Sequence, residues 1–206
     1  MIGAILRAYI ALTVALTTVG AAAAATAAEI YRDNIRGVYT VHAASLGTGF
    51  LFRTGRLATN AHVVGDARSV EVESQDGERF PAKVVYKNVM RDLAILEFSS
   101  PIRPFQALIP LRSRAGRPDV GEGVVVIGSP GGVKGTVTTG IVSQVYANGL
   151  IQLNAAINSG NSGGPVFDMQ GRVLGIVSLK FREFADGHAV DGLAVAIPLA
   201  WLEGIR

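Results

Sequence analysis

The sequence has no cysteine among its 206 residues. Without thiols the chain cannot form disulfides, use a cysteine nucleophile or bind zinc through cysteine. Histidine is also scarce, and the three histidines, His42, His62 and His188, lack the spacing of metal ligands. The sequence therefore predicts an activity that needs no metal and no cofactor.

Charge is low as well, since charged residues make up 17% of the chain and the formal net charge is +3. Apart from a loose arginine group within 112–117, the basic residues are scattered. Scattered charge is typical of a solvated surface, whereas nucleic-acid binding needs a basic stripe or patch. We therefore expect no nucleic-acid partner. Hydrophobic residues make up 49% of the chain, which indicates a folded protein rather than a disordered one.

Helical patterns are scarce, and short apolar or alternating runs dominate the sequence. No alternation of strands with helices appears, so the pattern predicts an all-β fold of eleven or twelve strands. Short helices are predicted only at the two ends, over 29–36 and 198–204. The predicted strands are 38–41, 49–52, 69–73, 82–86, 93–98, 124–128, 136–146, 150–154, 164–167, 172–179 and 193–197.

The first 28 residues are typical of an export signal. Arg7 precedes an apolar run over 8–19 and a small-residue stretch over 21–28, in which Ala25-Thr26-Ala27 fits the A-x-A cleavage pattern and Ala28 is a second candidate last residue. We predict a signal peptide over 1–28 and an exported protein, periplasmic or secreted, with no membrane span after cleavage. An uncleaved membrane anchor is the alternative, because the apolar run together with the alanine-rich stretch that follows it is just long enough to span a bilayer.

The remaining chain, 29–206, is interpreted as one domain with two strand-rich halves. A segment over 99–119 holds four of the eight prolines and shows little periodicity, as a linker does. We place the halves at about 37–100 and 120–198, with the linker at about 101–119.

The strongest candidate nucleophile is Ser162, in the run Gly160-Asn161-Ser162-Gly163-Gly164-Pro165. A serine nucleophile must be exposed on a tight turn, with backbone N–H groups free to bind a developing oxyanion. Glycines on both sides permit such a turn and leave room for a substrate carbonyl. Taken alone, the run also fits an ordinary Gly/Ser loop.

Two upstream residues complete a candidate triad. His62 follows an apolar strand end, and Asp92 immediately precedes an apolar strand over 93–98. A carboxylate at the edge of a buried strand needs a hydrogen-bond partner, and an imidazole N–H can provide it. Each residue alone also fits a structural role, but the chain order His, Asp, Ser is one of the recurring orders for this triad.

One competing fold shares part of this motif. Gly160-Asn161-Ser162-Gly163-Gly164 also satisfies the G-x-S-x-G pattern of α/β-hydrolases, which requires a helix after the serine and Asp and His downstream. Pro165 and a strand-like pair follow instead, and no βαβ rhythm exists in the sequence. The β-rich interpretation is therefore preferred.

Together these motifs resemble the trypsin-like serine proteases, and the HtrA/Deg group in particular. The resemblance extends over about 38–198. It implies two six-stranded antiparallel β-barrels followed by the short C-terminal helix, with His62 and Asp92 on the first barrel and Ser162 on the second. The matching stretches are 59–64, 92–96, 126–131, 136–143, 154–166 and 193–198.

The resemblance also implies a mechanism, in which His62 takes the Ser162 proton while the hydroxyl attacks a peptide carbonyl. Asp92 stays ionised beside the imidazolium, and the N–H groups of Gly160 and Ser162 bind the oxyanion. An acyl-enzyme forms and water releases it. Protein or peptide substrates are therefore expected, and the group's common trimers suggest a homo-oligomer.

By the same resemblance Ala156, six residues before the nucleophile, lies at the floor of the specificity pocket, with Leu193 and Val195 near the opposite wall. An uncharged floor predicts cleavage after small or medium apolar residues, with loose specificity. Ser178, Leu179 and Lys180 lie on the strand implied to pair with bound peptide. Ser178 either donates a hydrogen bond to Asp92 or is a plain surface serine.

Two features distinguish the chain from other members of the broad class. Asn161 replaces the aspartate that in digestive-type relatives receives a new N-terminal ammonium, so zymogen activation of that kind is not expected. The sequence also shows no peptide-binding PDZ module after the protease domain, although such a module is usual in the HtrA group. A catalytically silent double barrel that binds peptides or a partner is the alternative function, and a plain β-sandwich binding protein is a third interpretation.

Overall fold

A computed structural model of the chain describes residues 24–100, 108, 109, 111, 117–178, 194–203 and 205. Within these residues twelve strands form two closed barrels, as the resemblance implies. The strands are β1 Val38–His42, β2 Leu46–Arg53, β3 Arg56–Thr59, β4 Ser69–Glu73, β5 Arg79–Asn88, β6 Leu93–Phe98, β7 Gly123–Gly128, β8 Thr136–Val145, β9 Ile151–Leu153, β10 Pro165–Asp168, β11 Val173–Val177 and β12 Ala194–Pro198.

The first barrel has the strand order β1-β2-β3-β6-β5-β4, and antiparallel pairing of β1 with β4 closes it. The alternation in β4 places Val70 and Val72 inside, because successive side chains point to opposite faces of a strand. Tyr39, Leu57 and Leu96 pack beside them and are fully buried. The barrel therefore has an apolar centre of its own.

The second barrel repeats this plan with the order β10-β11-β12-β9-β8-β7, closed between β10 and β7. Its interior is built largely from valine, leucine and isoleucine, as in Val126, Val142, Leu153 and Val177. The valines and isoleucines are β-branched, and such side chains pack well on the inner face of a pleated sheet.

A third apolar cluster joins the two barrels. Phe50 and Ile95 of the first barrel belong to the same buried cluster as Ile127 and Phe167 of the second. These four side chains are at most 1% exposed. Because the cluster contains residues of both barrels, it fixes the position of one barrel relative to the other.

In the described part of the chain, three short α-helices lie outside the barrels: α1 Ala27–Asn34, α2 Ala61–Val64 and α3 Ala200–Glu203. The predicted N-terminal helix is therefore present, two residues earlier than expected, and a 3₁₀ turn continues it over Ile35–Gly37. The α1 side chain Ile30 is 2% exposed and enters the cluster between the barrels. None of the helices in the described ranges is long and apolar enough to cross a membrane.

Most of the predicted linker, 101–119, lies outside the described residues, as does the predicted signal peptide up to residue 23. Within the linker, Ile109 is described, and its backbone N–H donates to Leu51 of the first barrel at 2.8 Å. Its side chain is 1% exposed, so this part of the connection is packed against the barrels.

Candidate active site

His62 is the second residue of α2. Asn60 alone separates this helix from the end of β3. Its side chain is 30% exposed, and its Nδ1 lies 2.8 Å from Oδ2 and 3.0 Å from Oδ1 of Asp92. Since a carboxylate only accepts hydrogen bonds, Nδ1 carries the proton and the other ring nitrogen, Nε2, is left as the basic site.

Asp92 is fully buried, and its carboxylate is held by several donors. Oδ1 accepts the backbone N–H of His62 at 3.0 Å, and Oδ2 accepts the Ser178 hydroxyl at 2.5 Å, in addition to the contacts with the imidazole. A buried charge needs such partners because it has lost its hydration. The arrangement satisfies the buried carboxylate and fixes the plane of the His62 ring.

The backbone of Asp92 is unusual, with φ at 51°, in the left-handed region. Aspartate tolerates this region better than most residues, but the conformation still stores strain. The Asn60 side chain donates its Nδ2 to the Asp92 carbonyl at 2.9 Å and so holds the strained turn from the His62 side. Asn60 is fully buried and was not predicted as a site residue.

Ser162 lies on a tight loop before β10, flanked by Gly160 with φ 102° and Gly163 with φ 87°. Both values are ones that glycine adopts and L side chains rarely do. The loop is anchored on the second barrel through the Gly163 N–H, which donates to Val177 at 2.9 Å, and on the first barrel through the Ser162 carbonyl, which accepts the Thr48 N–H at 2.7 Å.

Two backbone donors of this loop have no acceptor. Among the described residues, neither the Gly160 N–H nor the Ser162 N–H donates to a protein atom, although both residues are buried. Buried backbone N–H groups are nearly always paired, so these two donors are available for the role of the predicted oxyanion hole.

The peptide that carries the Gly160 N–H is held from behind. The Gly131 N–H donates to the Ser159 carbonyl at 2.8 Å. Because the C=O and N–H of a trans peptide point in opposite directions, this bond aims the Gly160 N–H away from Gly131 and toward the open side of the loop.

Gly47 separates the His62 helix from the Ser162 loop. A Cβ built on Gly47 would lie 2.6 Å from the methyl groups of Val63 and 3.1 Å from the Ser162 carbonyl. The glycine therefore permits the close approach of the two segments. Within the described residues no hydrogen bond joins Ser162 Oγ to His62, and nucleophile–base bonds of this type are often long before a substrate binds.

Thr48 is the other site residue that the sequence did not reveal. Its Oγ1 donates to the Gly160 carbonyl at 2.6 Å and accepts the Ser129 N–H at 3.0 Å, while Thr59 Oγ1 donates to the Thr48 carbonyl at 2.7 Å. No sequence signal marks these contacts, because 112 residues separate Thr48 from Gly160.

The residues predicted to form the specificity pocket are less fully described. Ala156 is on the exposed side of its loop, between the buried Ala155 and Ile157, and Val195 of β12 is 4% exposed. The Ser178 hydroxyl faces Asp92, and the side chain is fully buried, so it does not line the cleft. Leu179, Lys180 and Leu193 lie outside the described residues.

Asn161, the position used to separate this chain from zymogen-type relatives, is 2% exposed. Its backbone N–H donates to Asn158, and its Oδ1 faces Gly128 so closely that a Cβ there would lie 2.4 Å away. In the described part of the chain, no three His, Asp or Glu side chains lie together as metal ligands would.

A family model described as the trypsin-like peptidase domain matches residues 47–176, which include His62, Asp92 and Ser162. The chain belongs to the trypsin-like peptidase domain family. The barrels of this trypsin-like domain are also found in the crystal structure of the serine endoprotease from Yersinia pestis, with a TM-score of 0.74 and 30% sequence identity over 86% of this chain and 64% of that one.

Two curated relatives place the trypsin-like domain near the HtrA/Deg group and so confirm that part of the resemblance. It is 40% identical over 160 residues to a probable periplasmic DegP-like serine endoprotease of Brucella suis, covering 74% of this chain and 30% of the relative. It is 35% identical over 163 residues to the serine endoprotease DegS of Escherichia coli, covering 75% of this chain and 45% of the relative. The chain thus matches less than half of the length of either relative.

Proposed function

We propose that this chain is a serine endopeptidase that hydrolyses peptide bonds through an acyl-enzyme. One observation carries the proposal: among the described residues, the N–H groups of Gly160 and of Ser162 itself have no acceptor, and a histidine oriented by the buried Asp92 lies across Gly47 from this serine. An ordinary Gly/Ser loop would have no reason to leave two buried donors without acceptors.

In the acylation step His62 Nε2 takes the proton of the Ser162 hydroxyl while Oγ bonds to the carbonyl carbon of the peptide. The carbonyl π electrons move to oxygen, and the Gly160 and Ser162 N–H groups stabilise that oxyanion. The imidazolium, stabilised by Asp92, then gives its proton to the leaving nitrogen as the C–N bond breaks. The acyl group remains on Ser162 as an ester.

The deacylation step repeats this sequence with water. His62 takes a proton from the water as its oxygen attacks the ester carbon, and the oxyanion forms again at the same two N–H groups. When the C–Oγ bond breaks, Ser162 recovers the proton from His62 and the new carboxyl end of the substrate leaves. Ser178 contributes by holding Asp92, whose position sets the tautomer of His62.

We further propose that cleavage follows small or medium apolar residues. Ala156 brings no charge to the loop before the nucleophile, and its neighbours Ala155 and Ile157 are apolar and buried. Alanine at position 156 supplies no carboxylate to select Lys or Arg, and an apolar pocket discriminates by only about 1–3 kcal/mol per methylene. Leu179, Lys180, Leu193 and Val195 remain the predicted partners of the bound peptide.

The proposed substrates are proteins or peptides met after export, in the periplasm or outside the cell. This proposal is supported by the signal-like sequence over 1–28 and by the periplasmic name of the Brucella relative. A homo-oligomer, such as the trimer common in the HtrA group, is proposed on the resemblance to that group alone.

The test is covalent labelling of the purified chain with a fluorophosphonate, beside the Ser162→Ala variant. We expect wild type to be labelled at Ser162 and to digest casein, with cuts mapped after small or medium apolar residues. Ser162→Ala should lose at least about 10³-fold of the activity, since the nucleophile is removed. Ser143→Ala, on the second barrel but in β8, is the matched control and should label normally.

Three results would contradict parts of this proposal. Absence of wild-type labelling under every condition would favour the catalytically silent double barrel that binds peptides. Equal labelling of Ser162→Ala would place the nucleophile elsewhere. Strong preference for Lys or Arg in the mapped cuts would contradict the proposed apolar specificity, but it would not contradict the acyl-enzyme mechanism.

A further inference from the structure

An ion pair outside the triad connects the two barrels. Lys134, in the loop before β8, places its Nζ 2.7 Å from Oε1 of Glu73 at the end of β4. The Glu73 side chain is 14% exposed, and it also accepts His42 Nε2 at 2.9 Å and lies 3.5 Å from Arg79. Exposed ion pairs contribute little, but a mostly covered carboxylate with three basic partners holds its geometry better.

The loop that carries Lys134 is the one that supports the oxyanion hole. Gly131 in this loop donates its N–H to the Ser159 carbonyl and so orients the peptide of Gly160. The loop also packs directly on Gly160, where a Cβ would lie 2.2 Å from the Ser129 carbonyl and 3.0 Å from the Pro130 Cα. Movement of the loop would therefore move the Gly160 N–H.

The loop is fixed firmly at its first residue. Ser129 donates its N–H to Thr48 Oγ1 at 3.0 Å, and its hydroxyl is bonded to Thr40 Oγ1 at 2.8 Å. Both threonines belong to the first barrel, so this end of the loop is tied across the interface between the barrels. These hydrogen bonds lie before Gly131, and they do not hold the part of the loop that follows Gly131.

That second part is rich in glycine, with Gly131, Gly132 and Gly135 at φ values of 58°, 86° and 66°. Gly132 and Val133 donate their N–H groups within the loop, to Ser129 and Pro130 at 3.0 Å each, but these bonds hold the loop only to itself and not to the first barrel. Val133 is 66% exposed and provides no buried anchor. Lys134 is the side chain in this stretch that reaches a charged partner on the other barrel.

We propose that Lys134 and Glu73 are positioning residues, whose ion pair latches the 129–135 loop to the first barrel and thereby keeps the Gly160 N–H aimed at the oxyanion. Neither side chain touches the reacting atoms. The inference rests on the proposed serine endopeptidase function and adds to it a structural requirement for the oxyanion hole.

The pH range of the latch follows from Glu73. The hydrogen bond from Lys134, followed by that from His42, lowers the pKa of Glu73 below its ordinary value of 4.5, and Arg79 adds to the effect. Because the folded pKa is below the unfolded one, the stabilisation is complete above about 4.5 and is lost as pH falls through the lowered pKa. The latch therefore stays closed at neutral and mildly acidic pH.

The test compares Lys134→Met, which keeps an apolar stem without charge, with Lys134→Arg, which keeps the charge. We expect Lys134→Met to lower kcat and the fluorophosphonate labelling rate about tenfold, less than the 10²–10³ typical of removing an oxyanion donor outright. KM and the unfolding midpoint should change little, because the latch acts on the transition state. Lys134→Arg should recover most of the rate.

Further variants separate the latch from a general charge effect. Glu73→Gln should reproduce the loss, and the exchanged pair Lys134→Glu with Glu73→Lys should recover part of it. Lys83→Met, an exposed lysine of the first barrel, is the matched control and should leave the rate unchanged. The ratio of wild-type to Lys134→Met rates should stay constant from neutral pH down to about 4.5 and shrink below it.

A readout independent of activity keeps this inference separate from the proposed function. Hydrogen exchange of the peptides that contain Gly131 and Gly160 should accelerate in Lys134→Met and not in Lys83→Met. If wild type proves inactive, the proposed function fails, but the exchange comparison still tests the latch. Unchanged exchange and unchanged rates in Lys134→Met would overturn the latch. A loss of rate in Lys134→Arg as large as in Lys134→Met, accompanied by a loss of folding stability, would overturn it as well.

Discussion

Thr48 shows, at the scale of single residues, how the first barrel holds the loop of the second. Its hydroxyl donates to Gly160 and accepts from Ser129, and its N–H donates to the carbonyl of Ser162. Thr48 is fully buried, so no water can replace these bonds. A residue of the first barrel thereby sets the position of Ser162, the proposed nucleophile, without being near it in sequence.

Replacing Thr48 with valine keeps the shape and removes the hydroxyl. We expect Thr48→Val to lower the free energy of unfolding by about 1–3 kcal/mol, because the Gly160 carbonyl and the Ser129 N–H are left buried and unpaired. The labelling rate should fall as well, since the Ser162 loop loses one anchor. Urea unfolding and fluorophosphonate kinetics measure the two effects.

Thr48→Ser is the matched control, because it keeps the hydroxyl and loses only the methyl group. It should retain most of the labelling rate. A Thr48→Val variant that is as stable and as reactive as wild type would show that the buried hydrogen bonds of this threonine contribute nothing to the site.

The sequence predicted the identity of the candidate triad but not its local geometry. His62 and Asp92 are recognisable from their positions at strand edges, and Ser162 from its glycine-rich turn. The left-handed backbone of Asp92 depends on the Asn60 side chain, 32 residues away. Contacts between residues so distant in sequence are set by the closed barrel and leave no local pattern to read.

At the scale of elements, strands with a strong local pattern were predicted best. The bounds of β4 and β6 agree with the predicted 69–73 and 93–98, since one alternates cleanly and the other is a nearly continuous apolar run. The four-residue β3, Arg56–Thr59, was predicted only as the apolar strand end before His62, without bounds of its own. Its pairing with β2 and β6 defines it, and so short a run has little periodicity of its own.

Helix α1 depends on residues that lie within the predicted signal peptide. Thr26 caps it in a capping box, accepting the Glu29 N–H at 3.2 Å while the Glu29 carboxylate accepts the Thr26 N–H at 2.8 Å. Just before the cap, the Ala25 N–H donates to Met169 of the second barrel at 2.7 Å. The residues 25–26 therefore both begin the helix and attach it to the second barrel.

A chain that begins at Glu29 would lack this cap, whereas one that begins at Ala24 would keep it. We expect the longer chain to be more stable by about 1 kcal/mol, the typical contribution of an N-cap threonine. Urea unfolding of the two chains measures the difference. Thr26→Ala in the longer chain should remove the part of the advantage that the capping box provides, and Thr26→Ser should preserve it. Equal stability of Thr26→Ala and the unsubstituted longer chain would show that the box has no effect.

At the scale of the whole molecule, the site is divided between barrels that share a core. The bond from Ser178 to Asp92 crosses the cleft, and so do the bonds of Thr48 to the Ser162 loop. Phe50 and Phe167, both fully buried, lie in the cluster between the barrels. Separation of the barrels would therefore expose apolar surface and break the site at the same time.

This sharing predicts that the barrels unfold in one cooperative transition. Trp201, the single tryptophan, packs against the shared cluster and reports on it by fluorescence, while far-UV circular dichroism reports on both barrels. We expect coincident urea midpoints for both signals and for loss of labelling. Leu57→Ala, deep in the first barrel, and Leu153→Ala, in the second, should each lower the free energy of unfolding by about 2–5 kcal/mol. Both variants should therefore lower the urea midpoint of the Trp201 signal. A biphasic dichroism curve with an unshifted Trp201 transition in Leu57→Ala would instead show that the barrels unfold independently.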